Sequence, residues 1–431
     1  MLSKAVFCPC SESCMSAPDV SASAATVFRQ RPFTFFWLAR TATAAAYQML
    51  AVAVGWQIYD LTRRPFELGL IGLVQFAPSL VLSLLVGQVA DRYDRRVVVR
   101  FCQAVESLAA LALMLGSLSG RLGAGAIFAL VFLVGAARAF EGPTLAALLP
   151  TLVPTPLFPR AAALSASATQ TAVIIGPALG GLLYAAGPAT PYGLACLLFL
   201  AASLLVSMIR RDAPAPRREP ISLASLFAGI AYIRSRQAVL GAISLDLFAV
   251  LFGGATALLP IYARDILTIG PWGLGLLRSA PAIGALSMSV VLAHFPLQRR
   301  VGRIMYAAVL CFGGATIVFA LSRWFPLSLA ALALLGASDM VSVVIRSSLV
   351  QLQTPDEMRG RVSAVNFIFV GTSNQLGEFE SGVTAAWFGT VPAVLIGGIA
   401  TILVVPVCLR LFPALGRIDR LEAAPGGGAD T

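Results

Sequence analysis

The chain has 431 residues, of which 58% are hydrophobic and 12% charged, and its formal net charge is +11. A water-soluble domain carries about 25% charged residues, so half that share, with a mean hydropathy of +0.85, leaves too little polar surface for a soluble enzyme. The basic excess does not indicate nucleic acid either, because it sits in short segments between apolar runs rather than along one face.

The chain opens on a polar tail. Cys8, Cys10 and Cys14 cluster there with no His or further Cys nearby, short of a zinc-type spacing, so no metal and no cofactor is expected. Met15-Ser16-Ala17-Pro18 opens an ordinary tail, which makes Met15 the plainer start. Residues 1–23 lack the continuous apolar core of a cleavable signal. Cys102, Cys196, Cys311 and Cys408 each lie in an apolar run, where a lone cysteine acts as a small hydrophobe.

Apolar runs then predict twelve helices, near 34–59, 67–90, 98–118, 123–145, 162–185, 190–209, 238–262, 272–294, 304–322, 326–347, 362–385 and 390–411. From Ala161 to Ile209 there is no Asp, Glu, Lys, Arg or His, room for two spans of roughly 20 residues around the turn Gly187-Pro188-Ala189-Thr190-Pro191. These runs are longer than the ~10 residues of a barrel strand and apolar all round, so they are helices, each satisfying its backbone amides internally. The longest polar interruption, Arg210 to Arg236, splits the chain six plus six. It reads as a simple linker or as a binder of anionic lipid. The expected fold class is an all-α integral membrane protein, with twelve transmembrane helices in two pseudo-symmetric six-helix bundles. Its parts are a tail (1–33), a first bundle (34–210), a linker (211–237), a second bundle (238–412) and a closing tail (413–431).

Basic residues set the orientation. With the amino terminus inside, inner segments hold 22 of the Lys and Arg side chains and outer loops hold five, Arg63, Arg64, Arg121, Arg264 and Arg323. That bias places both termini and the linker in the cytoplasm of a multi-pass inner-membrane protein.

The halves repeat. At an offset of 201 to 204 residues, Gly72 and Pro78 meet Gly275 and Pro281, and Arg95-Arg96 meets Arg299-Arg300. Gly135 meets Gly336, Arg160 meets Arg361, and Gly176 and Gly181 meet Gly377 and Gly382. Parallel repeats of six spans place a binding site at their interface near the midplane.

After the second predicted helix comes Gly87-Gln88-Val89-Ala90-Asp91-Arg92-Tyr93-Asp94-Arg95-Arg96. This resembles the signature loop of the major facilitator superfamily, with Asp94 where that family usually has glycine. The resemblance implies a conformational latch formed by Gly87, Asp91, Arg92, Asp94, Arg95 and Arg96, in which a carboxylate pairs with arginine and a helix end. The other reading is that these charges fix topology. The matching loop, Leu297 to Arg303, keeps the bases and lacks the acid. Arg138 with Gly142 resembles the superfamily's arginine motif of the fourth helix. Gly176-Pro177-Ala178-Leu179-Gly180-Gly181 is similar to the glycine–proline pattern of its exporters, with Ala163 and Ala172 replacing two upstream glycines. Gly176, Pro177, Gly180, Gly181, Gly377 and Gly382 are expected to pack or bend helices. Ser338-Asp339, Arg346, the stretch Thr354 to Asn366 and Gly377-Glu378-Phe379-Glu380-Ser381-Gly382 resemble the enterobactin-exporter branch of the superfamily. That branch implies export driven by a proton gradient and leaves the cargo open.

Ionisable residues within spans are functional hypotheses by default, because burying charge in hydrocarbon is costly. The spans hold Arg40, Arg138, Arg278 and Arg346 against Glu106, Glu141, Asp246, Asp339, Glu378 and Glu380. Proton coupling is expected through some of Asp246, Glu378 and Glu380, with Arg138 or Arg40 biasing protonation and Glu141, Asp339 and Arg346 as further candidates. The alternative is static ion pairs. Glu106, Arg278 and Arg346 are expected to reach the interface by snorkelling. Glu378 and Glu380 lie roughly 200° apart on a helix. Glu378 shares a polar stripe with Asn374, Ser381 and Gly382 and is the first choice, whereas Glu380 packs on a neighbour. His294, the single histidine, reads as a loop-end residue, and no phosphate-cradling loop is present for ATP. The sequence thus indicates a monomeric, proton-coupled carrier in a lipid bilayer, exporting a small amphiphilic or siderophore-like molecule by alternating access. Uptake or facilitated diffusion is one alternative, and a membrane sensor that transports nothing is another.

Overall fold

Among the described residues twelve long helical segments follow one another, and the residues at their ends show why several start or stop. The computed structural model describes residues 24–209, 223–297 and 299–420, without the side chains of 24–25, 83–88, 90–92, 223–226, 356–357, 364 and 367. The first segment, α1 (Arg31–Thr62), starts on Pro32 and ends where Arg63 turns left-handed (φ 55) and donates its N–H to Tyr59 O. Then come α2 (Pro65–Arg92), with Pro65 in its first turn, and α3 (Arg95–Leu118), capped by Asp94, whose Oδ1 accepts from Arg96 N at 2.9 Å. Next are α4 (Ala124–Leu148), α5 (Phe158–Ala186), which ends at Gly187, and α6 (Thr190–Ser207). The second half holds α7 (Gln237–Ile266), α8 (Gly270–His294), α9 (Val301–Leu321), α10 (Phe325–Leu352), α11 (Asp356–Phe388) and α12 (Thr390–Leu411).

Ten of these segments are long and apolar enough to cross a membrane. The other two, α1 and α11, have 32 and 33 residues. No strand occurs among the described residues. Several helices outrun their apolar cores. The apolar run of α11 predicts 362–385, but the helix begins at Asp356 because Pro355 ends the preceding turn and a polar first turn is comfortable at an interface.

One predicted helix is not continuous. Residues 238–262 read as a single span, yet α7 stops at Phe252, passes Gly253 and Gly254, makes a 3-10 turn over Ala255–Leu258 and closes on a π turn over Tyr262–Ile266. The cause lies on its neighbour. A Cβ at Gly254 would stand 2.2 Å from the carbonyl oxygen of Gly377 in α11, so the chain breaks where α11 passes closest.

Helices pack mostly within their own half, α1 on α5 and α6, α3 on α4 and α6, α9 on α10 and α12. Across the halves α5 lies on α8, and α2 on α11. Glycine permits both crossings. A Cβ at Gly181 would lie 2.3 Å from Pro271 O, and one at Gly382 would lie 2.6 Å from Gly69 Cα. A further short helix, Leu223–Ser235, docks on the ends of α10 and α11, where Tyr232 Oη donates to Gln353 O at 2.5 Å and Ile233 joins Val350, Val362 and Val365.

Candidate functional site: a charged cavity between the halves

A cavity of ≈ 200 Å³ lies between the two halves. Its polar wall comes from Tyr47 and Gln48 of α1, Gln75 of α2, Arg278 of α8, and Gln375 and Glu378 of α11. Both charged residues belong to the second half, and both lie against the first. Arg278 Nη1 donates to Ala51 O at 2.8 Å, beside Gly55. Glu378 lies against Gly72, where an added Cβ would fall 2.6 Å from Oε2. Gln375 Oε1 is buried and has no hydrogen-bond partner, an acceptor held ready in the wall.

This placement separates the two glutamates as the helix geometry required. Glu378 faces the cavity, and Glu380 accepts from Thr384 Oγ1 at 2.7 Å on another face. The polar stripe differs from the expected one. Asn374 is exposed and bonds Val370 O, while Gln375, one turn from Glu378, shares the cavity. The i, i+3 spacing of Gln375 and Glu378 was the available signal.

Two buried polar clusters flank the cavity. In the second half Asp246 is 4% exposed, pairs with Arg346 Nη1 at 2.9 Å and accepts from Ser342 Oγ at 2.9 Å. Asp339 and Asp246 line a small pocket of ≈ 10 Å³, about the least that holds one water. In the first half Glu141 Oε1 accepts from Gln103 Nε2 at 2.9 Å, which also reaches Thr43 Oγ1 at 3.1 Å. Arg138 lies over the Tyr47 ring at 3.6 Å. Arg40 is farther along α1 and donates to Thr169 Oγ1 at 3.1 Å.

Three expectations need correction. Glu106, Arg278 and Arg346 do not snorkel to an interface. Glu106 is 0% exposed in the first cluster, Arg346 is held by Asp246, and Arg278 lines the cavity. Arg278 stands eight residues into α8, ~12 Å along the axis at 1.5 Å per residue, and its guanidinium is held there by Ala51 O of α1.

The six small residues expected at helix contacts lie as follows. Gly176 faces Gln48, Gly180 faces Met49, Gly181 faces Pro271 and Gly275, Gly377 faces Leu251, and Gly382 faces Gly69. Pro177 is buried within α5, its carbonyl against Gly275. Of the signature loop, Asp94 and Arg96 pair at 2.7 Å, Arg96 Nη1 donates to Ile209 O at 2.8 Å, and Arg95 Nη1 donates to Ala147 O at 3.0 Å. These bonds stay within the first half. The side chains of Gly87, Asp91 and Arg92 lie outside the described residues.

A cluster absent from the expected site links α1 to α7 across the two halves. Asp60 at the end of α1 pairs with Arg264 in the π turn of α7, and Arg63 reaches Asp265 at 3.6 Å and Asp60 at 4.0 Å. Tyr59 Oη donates to Asp265 Oδ2, and the Arg264 guanidinium lies 5.5 Å from the Trp56 ring. Arg63 and Arg264 read in sequence as outer-loop charges. The missed signal was complementarity, since Asp60 aligns with Arg264 and Arg63 with Asp265 within the repeat offset.

The proteins this chain is similar to are membrane carriers. The chain is 27% identical over 399 residues to "Enterobactin exporter EntS" of Citrobacter koseri, covering 92% of this chain and 95% of that one. It is 26% identical over 396 residues to the protein of the same name from Salmonella choleraesuis, covering 91% and 94%. Among solved structures it resembles a bacterial homologue of the human lysosomal transporter Spinster in an inward-facing, occupied conformation (TM-score 0.72, 11% identity, 93% and 99% of the chains). The nucleoside transporter NupG gives a TM-score of 0.67 at 12% identity, over 88% and 99% of the chains. At such identities the structures show the fold alone. The family model described as transmembrane secretion effector matches residues 22–425, nearly the whole chain. The chain therefore belongs to the transmembrane secretion effector family, a branch of the major facilitator superfamily of transporters.

Proposed function

We propose that the protein is a proton-coupled exporter of a small amphiphilic or siderophore-like molecule, working by alternating access in the inner membrane. In this reading α1 to α12 all span the bilayer, as two six-helix bundles, one on each side of the central linker. Both termini are cytoplasmic, and the carrier works as a monomer. The observation that carries it is the cavity, in which Arg278 and Glu378, both of the second half, face the same space at the seam with the first. One fixed cation and one exchangeable carboxylate suit a site where cargo and proton displace each other.

In this reading the α1–α7 charge cluster, joined by Asp60–Arg264 and Arg63–Asp265, serves as the outer gate. In the protein's cycle, protonation of Glu378 from the outer side accompanies the outward-open state. Release of that proton inward precedes cargo binding. Asp91 and the arginines after it latch the opposite end when it closes. The relatives' name supplies the first cargo to try, enterobactin.

The experiment is accumulation of enterobactin in everted membrane vesicles energised by respiration. Uptake that collapses with a protonophore and is lost in Glu378→Gln supports the reading. Uptake indifferent to the gradient would indicate facilitated diffusion, and no movement of enterobactin or other amphiphilic probes would favour a sensor.

A further inference from the structure

Glu106 is the most isolated acid among the described residues. It is 0% exposed, and neither carboxylate oxygen has a hydrogen-bond partner. An ionised carboxylate taken out of water with no donor costs several kcal/mol. Its partner acid, Glu141, is held by Gln103 at 2.9 Å. The charged and titratable groups acting on Glu106 come from three helices: Glu141 and Arg138 of α4, Tyr47 of α1, and Cys102 of its own helix. The other close neighbour, α6, carries no Asp, Glu, Lys, Arg or His. Arg138 cannot serve both acids fully, because its guanidinium is stacked on Tyr47 at 3.6 Å.

The repeat places this cluster opposite the second-half one and shows what is unusual about it. Thr43 aligns with Asp246 and Glu141 with Ser342, so each half has one carboxylate and one hydroxyl at the same crossing, with the roles exchanged. Arg138 aligns with Asp339. Glu106 has no acidic counterpart, since α9 (Val301–Leu321) contains no Asp or Glu. Its carboxyl is an addition to the first half, and Tyr47 stands between the cluster and the cavity.

We propose that the buried, unpartnered carboxyl of Glu106 holds a proton beside the ionised, Gln103-bound Glu141, a proton site of the first half gated by Tyr47 and Arg138. Glu106 carries the proton while Arg138 is stacked on Tyr47. When cargo in the cavity displaces the Tyr47 ring, Arg138 turns to Glu106. The Glu106 O–H bond then breaks, the proton passes to cavity water, and the carboxylate left behind is neutralised by the guanidinium. This step rests on the proton-coupled reading for its use, but the site itself does not.

The test is infrared difference spectroscopy of the purified protein in lipid nanodiscs, titrated with pH and without any cargo. A protonated-carboxyl C=O band should be present at neutral pH, be lost in Glu106→Gln and also in Glu141→Gln, and survive in Glu378→Gln. Tyr47→Leu, which frees Arg138, should move loss of that band to lower pH, whereas Tyr47→Phe should leave it in place. A band unchanged in Glu106→Gln overturns the proposal, as does loss in Glu106→Gln with no change in Glu141→Gln or Tyr47→Leu. If the band behaves as expected while vesicles show no gradient-driven transport, the proton site stands and the transport reading falls.

Discussion

Replacing Arg264 by Asp should loosen the charged link between α1 and α7 that joins the two halves. Arg264 faces Asp60, while Arg63 faces Asp265 at 3.6 Å and Asp60 at 4.0 Å. The Asp60 and Asp265 side chains are 45% and 41% exposed and Arg63 is 54% exposed, so each pair contributes at most ~1 kcal/mol. Arg264→Asp turns the Asp60–Arg264 attraction into a like-charge repulsion of similar size, a change of about 2 kcal/mol, roughly a 30-fold shift in the ratio of closed to open states. Spin labels at residues 121 and 323, exposed loop positions of the two halves, report that ratio as a distance distribution. Arg264→Asp should enlarge the long-distance population, and Asp60→Arg combined with Arg264→Asp should restore most of the short one. A distribution unmoved by the single reversal, or moved further by the double, would refute a role for these charges in closure.

Further outcomes follow from the same geometry. Arg346→Ala leaves Asp246 buried without its cation and should cost about 3–5 kcal/mol, read as a lower unfolding midpoint in detergent. Asp246→Asn with Arg346→Gln should recover most of that loss. Gly72→Ala puts a methyl where the Glu378 carboxylate lies, so gradient-driven transport should fall sharply while the unfolding midpoint stays within a few degrees. Gly181→Leu cannot seat against Pro271. It should hold the outer end open, so that a cysteine at position 375 becomes reactive to an impermeant thiol reagent applied from outside.

The long helices were legible because an apolar run of span length has few alternatives in a bilayer. The small-residue contacts were legible too, since Gly181 and Gly382 recur at one offset and lie at matching helix crossings. Cavity chemistry was harder to read. Arg278 looked close to a helix end, and nothing local shows that Ala51 O, more than 200 residues away, accepts from it. The break in α7 was hidden for a similar reason, because Gly253 and Gly254 become informative only when the backbone of α11 is seen against them. Glu106 read as an ordinary near-interface acid, and its isolation is a property of three packed helices rather than of its neighbours in sequence. The Asp60–Arg264 pair was present in the repeat as opposite charges at aligned positions. Matches draw attention in such an alignment, and inversions of sign do not.

The central claim, that Glu378 couples cargo to protons in the cavity it shares with Arg278, is tested most directly in proteoliposomes holding the purified protein and enterobactin. Glu378→Gln should abolish accumulation driven by an imposed proton gradient while preserving exchange of enterobactin for enterobactin across the membrane, with Glu380→Gln behaving as the unaltered protein. Gradient-driven accumulation that persists in Glu378→Gln but is lost in Glu380→Gln would contradict the account.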